Sequence, residues 1–246
     1  MMQLDRHDPR AVALCKAIRT GDLESLRRQL LDDPSLASAR IVDDRGVARS
    51  LLHVAADWPG HFPNGAQVVA LLAGAGSDVN ARVLHPTDTG SAETPLHWAA
   101  SSDDVAVLDA LLEAGADLEA PGAVCTGGTA MSDAVVFAQW RAARRLLERG
   151  ARTTIWQAAA LGLAEEVQRH SAASPAPTPR DITNALWHAC RGGQRATAEL
   201  LVAHGADINW VGHDRKAALD VALEGGHAAL ADWLRAHGAV RANGDA

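Results

Sequence analysis

A few acidic and histidine residues lie close enough in the sequence to be considered for acid–base chemistry. Asp57 and His61 are four positions apart, and His85 and Asp88 are three apart. A carboxylate and a histidine can act as a general acid–base pair when the two groups come within roughly 2.6–3.2 Å. Both pairs stand in segments punctuated by Pro and Gly, so solvated loop residues are the simpler interpretation.

Established catalytic and metal-binding motifs are missing from the sequence. The chain contains no P-loop, no GxSxG and no HExxH, and its histidines and cysteines are not clustered at metal-ligand spacing. Cys15, Cys125 and Cys190 form no CxxC, which favours reduced thiols over a disulfide framework or a zinc site. We therefore predict no catalytic residue, no metal and no cofactor, while a ligand site assembled from several segments stays open.

Composition narrows the class of protein. With 48% hydrophobic and 22% charged residues, the chain is predicted to fold rather than to be disordered. The 23 basic and 30 acidic residues give a net charge of −7 without a basic run, which argues against a nucleic-acid partner. The apolar stretch at residues 68–75 is too short to span a membrane, and residues 1–10 lack the apolar core of a secretory signal. We therefore expect a cytoplasmic protein.

Internal repetition determines the expected architecture. The segment TPLHWAA at residues 94–100 is followed by an apolar helical stripe and by GAD at residues 115–117. Thr94 can cap a helix whose first residue is Pro95, and Gly115 permits the left-handed turn that ends a second helix. Partial copies occur as LHVAA at residues 52–56 and LWHAC at residues 186–190. The pattern predicts repeated helix–turn–helix elements.

This pattern resembles the ankyrin repeat family, and the segment from the third to the sixth repeat is similar to bacterial ankyrin proteins. The resemblance implies an all-α solenoid in which short hairpin fingers separate helix pairs, with some fingers missing in the centre. We predict one domain over residues 1–246 with about seven repeats, at residues 10–43, 44–82, 83–120, 121–152, 153–179, 180–214 and 215–246.

Four departures from the repeat pattern are expected to bear on function. Residues 59–63 form an insertion between two helices, and residues 82–93 make one finger about six residues longer than usual. The finger after residue 150 is missing, and the proline-rich residues 174–179 precede a helix that starts early.

Equivalent positions on successive inner helices should form a concave binding groove. The predicted groove residues are Trp58, Trp98, Ser101, Ser102, Asp133, Phe137, Gln157, Leu161, His188 and Arg191. Trp58, Trp98, Phe137 and Leu161 would form its apolar strip, and Asp133 and Arg191 would set specificity. An exposed apolar strip with polar edges is typical of a contact site. Alternatively, Trp58, Trp98 and Phe137 could simply pack among the helices.

Two functions remain open at this point. The first is a protein-interaction module that binds an apolar segment of another protein in the groove. The second is a small-molecule-binding protein or an enzyme of biosynthetic or hydrolytic type, with a pocket closed by the 59–63 insertion and the 82–93 finger. The ankyrin resemblance favours the first, since such repeats generally bind proteins.

Overall fold

A computed structural model describes residues 2–87 and 92–243 of the chain. This part of the chain is mainly helical and divides into two compact units, Met1–Ala151 and Arg152–Ala246. The N-terminal unit holds eight of the described helices: α1 (Pro9–Thr20), α2 (Leu23–Asp32), α3 (Leu51–Ala56), α4 (Gly65–Gly74), α5 (Pro95–Ser101), α6 (Val105–Glu113), α7 (Ala130–Val136) and α8 (Trp140–Glu148). The C-terminal unit holds six: α9 (Ile155–Leu161), α10 (Ala164–Ser171), α11 (Pro179–Arg191), α12 (Arg195–Ala203), α13 (Ala218–Glu224) and α14 (Ala228–Ala236).

The helices pack in sequential pairs, as a helical repeat fold requires. In the N-terminal unit α1 packs on α2, α3 on α4, α5 on α6 and α7 on α8. The first helices of successive pairs also contact one another, from α1 through α3 and α5 to α7. In the C-terminal unit α11 lies between α9 and α13 in the same way. Each pair therefore buries its apolar surface against its neighbours in the stack.

A small sheet in the N-terminal unit was not predicted. Strand β1 (Gln3–Asp5) pairs in parallel with β2 (Arg40–Val42), and β2 pairs antiparallel with β3 (Ala48–Ser50). The β2–β3 hairpin is the finger before α3, and Ala48 also forms a bridge with Leu84 in the next finger. Three residues give too little alternation for a strand to be recognised, and the partner of β1 lies far along the chain.

Helix starts follow the capping residues in the sequence. The Thr94 N–H donates to Nδ1 of His97 over 3.1 Å, and Pro95 is the first residue of α5. At α11 the N–H of Asp181 donates to Oγ1 of Thr178 over 3.2 Å, and Pro179 is the first helical residue, as predicted. These caps satisfy backbone groups that a helix leaves unpaired at its N-terminus.

None of the helices in residues 2–87 and 92–243 combines the length and the apolar composition needed to cross a membrane.

Candidate functional site

The helices α3, α5 and α7 of the N-terminal unit position the lining of a cavity of about 430 Å³. Its lining includes Asp57, Trp58, Glu93, Trp98, Ser101, Val124, Phe137 and Gln139. We call this site the aromatic cavity. Four of the predicted groove residues, Trp58, Trp98, Ser101 and Phe137, belong to it.

Two rings of the aromatic cavity are open to solvent. Trp58 follows the end of α3 and is 78% exposed, and Phe137 caps the C-terminus of α7 and is 42% exposed. Leaving large rings in water forgoes the free energy that their burial would contribute. Packing against neighbouring helices therefore does not explain these two side chains.

Trp98 and Glu93 form the fixed wall of the aromatic cavity. The indole Nε1–H of Trp98 donates to Oε2 of Glu93 over 3.3 Å, and the guanidinium carbon of Arg49 lies 5.7 Å from the Trp98 ring centre. Burial raises the pKa of the Glu93 carboxyl, while the Trp98 hydrogen bond acts in the opposite direction. The wall thus combines an aromatic ring with a half-buried carboxyl group.

His53 positions both wall residues. Its Nδ1 accepts from the Ser50 N–H over 3.3 Å, so its Nε2 carries the proton and donates to the Glu93 carbonyl over 3.1 Å. The His53 ring also meets Trp98 edge-on, with ring centres 5.0 Å apart. Burial lowers the pKa of His53 to about 3, which keeps the ring neutral. This histidine therefore acts as a structural link from α3 to the base of the next finger.

The two acid–histidine pairs considered from the sequence do not form a catalytic dyad in the described residues. The Asp57 carboxylate pairs with Arg19 at 2.8 Å and lies 3.9 Å from Arg49. The N–H of His61 instead donates to the Asp104 carboxylate over 2.6 Å. Of the second pair, Asp88 lies outside the described residues.

The two predicted groove serines occupy different environments. Ser101 is half-buried at the aromatic cavity, and its Oγ–H donates to the Trp98 carbonyl over 3.0 Å. Ser102 is buried, and its Oγ–H donates to the Ala56 carbonyl over 3.3 Å. The expectation that Ser102 faces a groove is therefore wrong, because its hydroxyl instead ties α5 to the end of α3.

Asp133 on α7 is buried completely, rather than exposed at a groove edge as predicted. Neither carboxylate oxygen of Asp133 has a hydrogen-bond partner among the described residues. Burial, together with the charge of nearby Glu93, raises the pKa of Asp133 to about 8. The backbone carbonyl of Asp133 accepts from the Phe137 N–H over 2.9 Å, which places this residue one turn below a ring of the aromatic cavity.

Two of the four groove residues predicted in the C-terminal unit are buried. Gln157 is 2% exposed, and its Oε1 accepts from the Thr154 N–H over 2.7 Å at the start of α9. His188 is 4% exposed and packs against Trp156 with ring centres 4.6 Å apart. Burial and the charges of His213 and Arg191 lower the pKa of His188 to about 3. Gln157 thus caps the start of α9 and His188 packs in the core. The expectation that these two residues lie at the edge of a groove is wrong.

Leu161 and Arg191, the other two residues predicted in that unit, are half-buried. The guanidinium carbon of Arg191 lies 5.7 Å from the centre of the Trp187 ring. Trp187 itself is 2% exposed and donates from Nε1 to the Lys216 carbonyl over 2.9 Å. Arg191 therefore covers a core tryptophan with its charged end.

A second cavity of the N-terminal unit, of about 310 Å³, lies between the small sheet and the first helices. Its lining includes Arg6, Val12, Cys15, Arg19, Ile41, Asp43, Arg49 and Val54. The arginines are paired, since Arg6 reaches Asp44 at 3.1 Å, Arg19 reaches Asp57 at 2.8 Å and Arg49 reaches Asp43 at 2.7 Å. The positive charge of this cavity is thereby compensated within the chain.

Comparison with protein families agrees with the helix pairs. The ankyrin repeat model matches residues 93–123, which span α5 and α6, and residues 183–213, which include most of α11 and all of α12. The chain therefore contains ankyrin repeats at these two positions. His97 lies in the first matched segment, and its ring joins the start of α5 to the Gly128 carbonyl. The ring of His53 makes the same kind of link from α3 to the Glu93 carbonyl.

Three lining residues were missed as site residues in the sequence. Glu93 directly precedes the TPLH motif, Val124 lies on a finger, and Gln139 is the N-cap of α8. The equivalent positions compared along the inner helices do not include the fingers or the N-caps of the second helices, so they could not place these residues. The one available signal was the fixed position of Glu93 before a strongly marked helix start.

Proposed function

We propose that the protein is a binding module that takes up an apolar segment of another protein at the aromatic cavity. Ankyrin repeats generally bind other proteins, and they use surfaces built from equivalent positions of neighbouring repeats. The observation that carries the proposal is the exposure of Trp58 and Phe137 on two different repeats that line the same cavity.

The chemistry of the aromatic cavity supports this role. Trp is among the residues that most often supply a large share of the binding energy at protein interfaces, because a rigid ring buries much apolar area at a low entropic cost. Trp58 is open to solvent, whereas Trp98 is already held by Glu93 and His53. A partner side chain would thus contact the exposed ring of Trp58 and the fixed ring of Trp98.

Partner capture with a double variant tests the proposal. The native chain should capture proteins from a lysate that mass spectrometry identifies, and the double variant Trp58→Ala with Phe137→Ala should no longer capture them. Leu31→Ala is the matched control, since it removes a side chain that is 74% exposed on α2, outside the aromatic cavity. Thermal unfolding should shift by no more than a few degrees in both variants. Unchanged capture by the double variant would refute the proposal.

A small-molecule site is the second candidate. The aromatic cavity, at about 430 Å³, falls within the size range of small-ligand pockets. The 59–63 insertion, however, is tied elsewhere by the bond from His61 to Asp104, and Asn64 next to it donates to the Gly21 carbonyl over 3.0 Å. Native mass spectrometry of the purified chain tests this candidate. A small molecule bound in stoichiometric amount to the native chain, and absent from the Trp58→Ala variant, would support it.

A further inference from the structure

The acidic groups at the aromatic cavity are not compensated equally. Asp57 already pairs with Arg19 at 2.8 Å. Glu93 accepts a hydrogen bond from Trp98 but forms no ion pair with a described residue. One half-buried carboxylate therefore faces the cavity without a counter-ion in residues 2–87 and 92–243.

Asp133 adds a second acidic group without a partner. It is fully buried, both carboxylate oxygens lack hydrogen bonds to described residues, and it lies close enough to Glu93 for the two charges to repel. A buried carboxyl group without a partner is costly, whether it holds a proton without an acceptor or a charge without a counter-ion. A positive charge in the cavity would lower that cost for both groups.

The rings of the aromatic cavity favour the same kind of ligand. The face of a tryptophan attracts a cation within about 6 Å of its centre, and the guanidinium of Arg49 already lies 5.7 Å from Trp98. Trp58 and Phe137 offer further ring surface at the same cavity. The attraction grows as the cation loses water, which a partly enclosed site promotes.

We propose that the aromatic cavity binds a lysine or arginine side chain of the partner protein, with Glu93 as its counter-ion and Trp58, Trp98 and Phe137 as its aromatic surroundings. This inference rests on the proposed function and specifies the partner: an apolar segment that carries a cationic residue. Both side chains suit the site, because each has an apolar stem that can pack against rings behind a charged end. Acidic segments are rejected, since they would place another negative charge beside Glu93.

Capped pentapeptides Gly-Gly-Xaa-Gly-Gly, with lysine, arginine, norleucine or glutamate as Xaa, provide the probe. The full chain is labelled with ¹⁵N, and the indole N–H signals of Trp58 and Trp98 are followed while each peptide is added to millimolar concentration. The lysine and arginine peptides should bind about tenfold more tightly than the norleucine peptide, a difference of about 1.4 kcal/mol. The glutamate peptide should bind most weakly.

A variant pair isolates the counter-ion. Glu93→Gln keeps the acceptor for the Trp98 N–H but removes the charge, so it should lower the affinity for the lysine peptide about tenfold and leave the norleucine peptide unaffected. Retained norleucine binding also shows that the variant is folded. Glu113→Gln, which makes the same charge change at an exposed position at the end of α6, should bind like the native chain.

The outcomes separate this inference from the proposed function. Equal affinity for the lysine and norleucine peptides, or unchanged lysine binding by Glu93→Gln, overturns the cationic partner while leaving the apolar binding surface intact. A lack of response of both indole signals to every peptide overturns the cationic inference too. In that case, capture of a partner by the native chain and its loss in the Trp58 and Phe137 double variant would still uphold the proposed function.

Discussion

Replacing Asp133 with Asn should change how the stability of the N-terminal unit depends on pH. The side chain is fully buried, neither of its carboxylate oxygens has a hydrogen-bond partner in the described part of the chain, and burial raises its pKa to about 8 from an ordinary value of 3.8. Between these two pH values the unfolded chain has an ionised Asp133, whereas the folded chain keeps it protonated. Because the folded state then binds the additional proton, stability falls as pH rises, by about 1.4 kcal/mol per pH unit.

The choice of pH range separates Asp133 from the buried histidines. Burial lowers the pKa of His53 to about 3 and that of His97 to about 4. As pH falls below their ordinary value of 6.5, the unfolded chain gains protons that the folded chain does not, so these rings lower stability on the acidic side. Above pH 6.5 their contribution levels off within about one pH unit and is the same in the native chain and in an Asp133 variant, whereas that of Asp133 changes up to about pH 8.

Urea unfolding of the native chain and of Asp133→Asn, at about pH 6.5 and about pH 8, measures the effect. From pH 6.5 to pH 8 the free energy of unfolding of the variant should rise by about 1.6 kcal/mol relative to that of the native chain, because Asn cannot ionise and has nearly the same shape. Asp32→Asn controls for the loss of one carboxylate, since Asp32 is exposed at the end of α2. If the free energies of unfolding of the native chain and of Asp133→Asn differ by the same amount at both pH values, the assignment of a raised pKa to Asp133 is refuted.

Three further changes test the packing and the thiol chemistry of the fold. His53→Ala should destabilise the N-terminal unit by roughly 2–4 kcal/mol in urea unfolding, because it leaves buried hydrogen-bond partners unpaired. Gly122→Ala should cost more stability in the same assay than Gly115→Ala, because a Cβ at residue 122 would lie 2.5 Å from the Ala92 carbonyl oxygen. Gly115 also has a positive φ, but a Cβ there would have no heavy atom within 4 Å. Iodoacetamide should modify the exposed Cys125 in the native chain and reach Cys190 only after unfolding, since Cys190 is buried and its pKa is raised to about 12; equal rates would contradict this.

The helical part of the fold could be predicted because its signals are local. A threonine cap followed by proline marks the starts of α5 and α11, and the structure places both helices there. The strand β1 could not be predicted in this way. Leu4 is its only buried residue, and α1 and α2 separate it in the sequence from its partner β2.

The predicted binding residues divide according to their position within the repeat. One position lies just before the two residues that correspond to Ala99 and Ala100 of α5. In α3, α7, α9, α11 and α13 it is buried, since Val54, Asp133, Gln157, His188 and Val221 are 4% exposed or less, whereas Trp98 in α5 is half-buried and Lys16 in α1 is exposed. In those five helices the side chain packs inside the fold rather than facing solvent. A binding role was therefore expected for Asp133, Gln157 and His188 at a position that belongs to the core between repeats.

The position equivalent to Ser102, two residues after Ala100 in α5, carries the stronger argument for binding. In successive helix pairs it holds Thr20, Trp58, Ser102, Phe137, Leu161, Gly192 and Gly225, and glycine suffices there in two of them. Stacking of the repeats thus does not require a large side chain at this position. Trp58 and Phe137 nevertheless place large rings there, on two repeats of the N-terminal unit, and both remain exposed. Since neither the stacking of the helix pairs nor burial accounts for these rings, their exposure supports the proposal that they form a surface for a ligand.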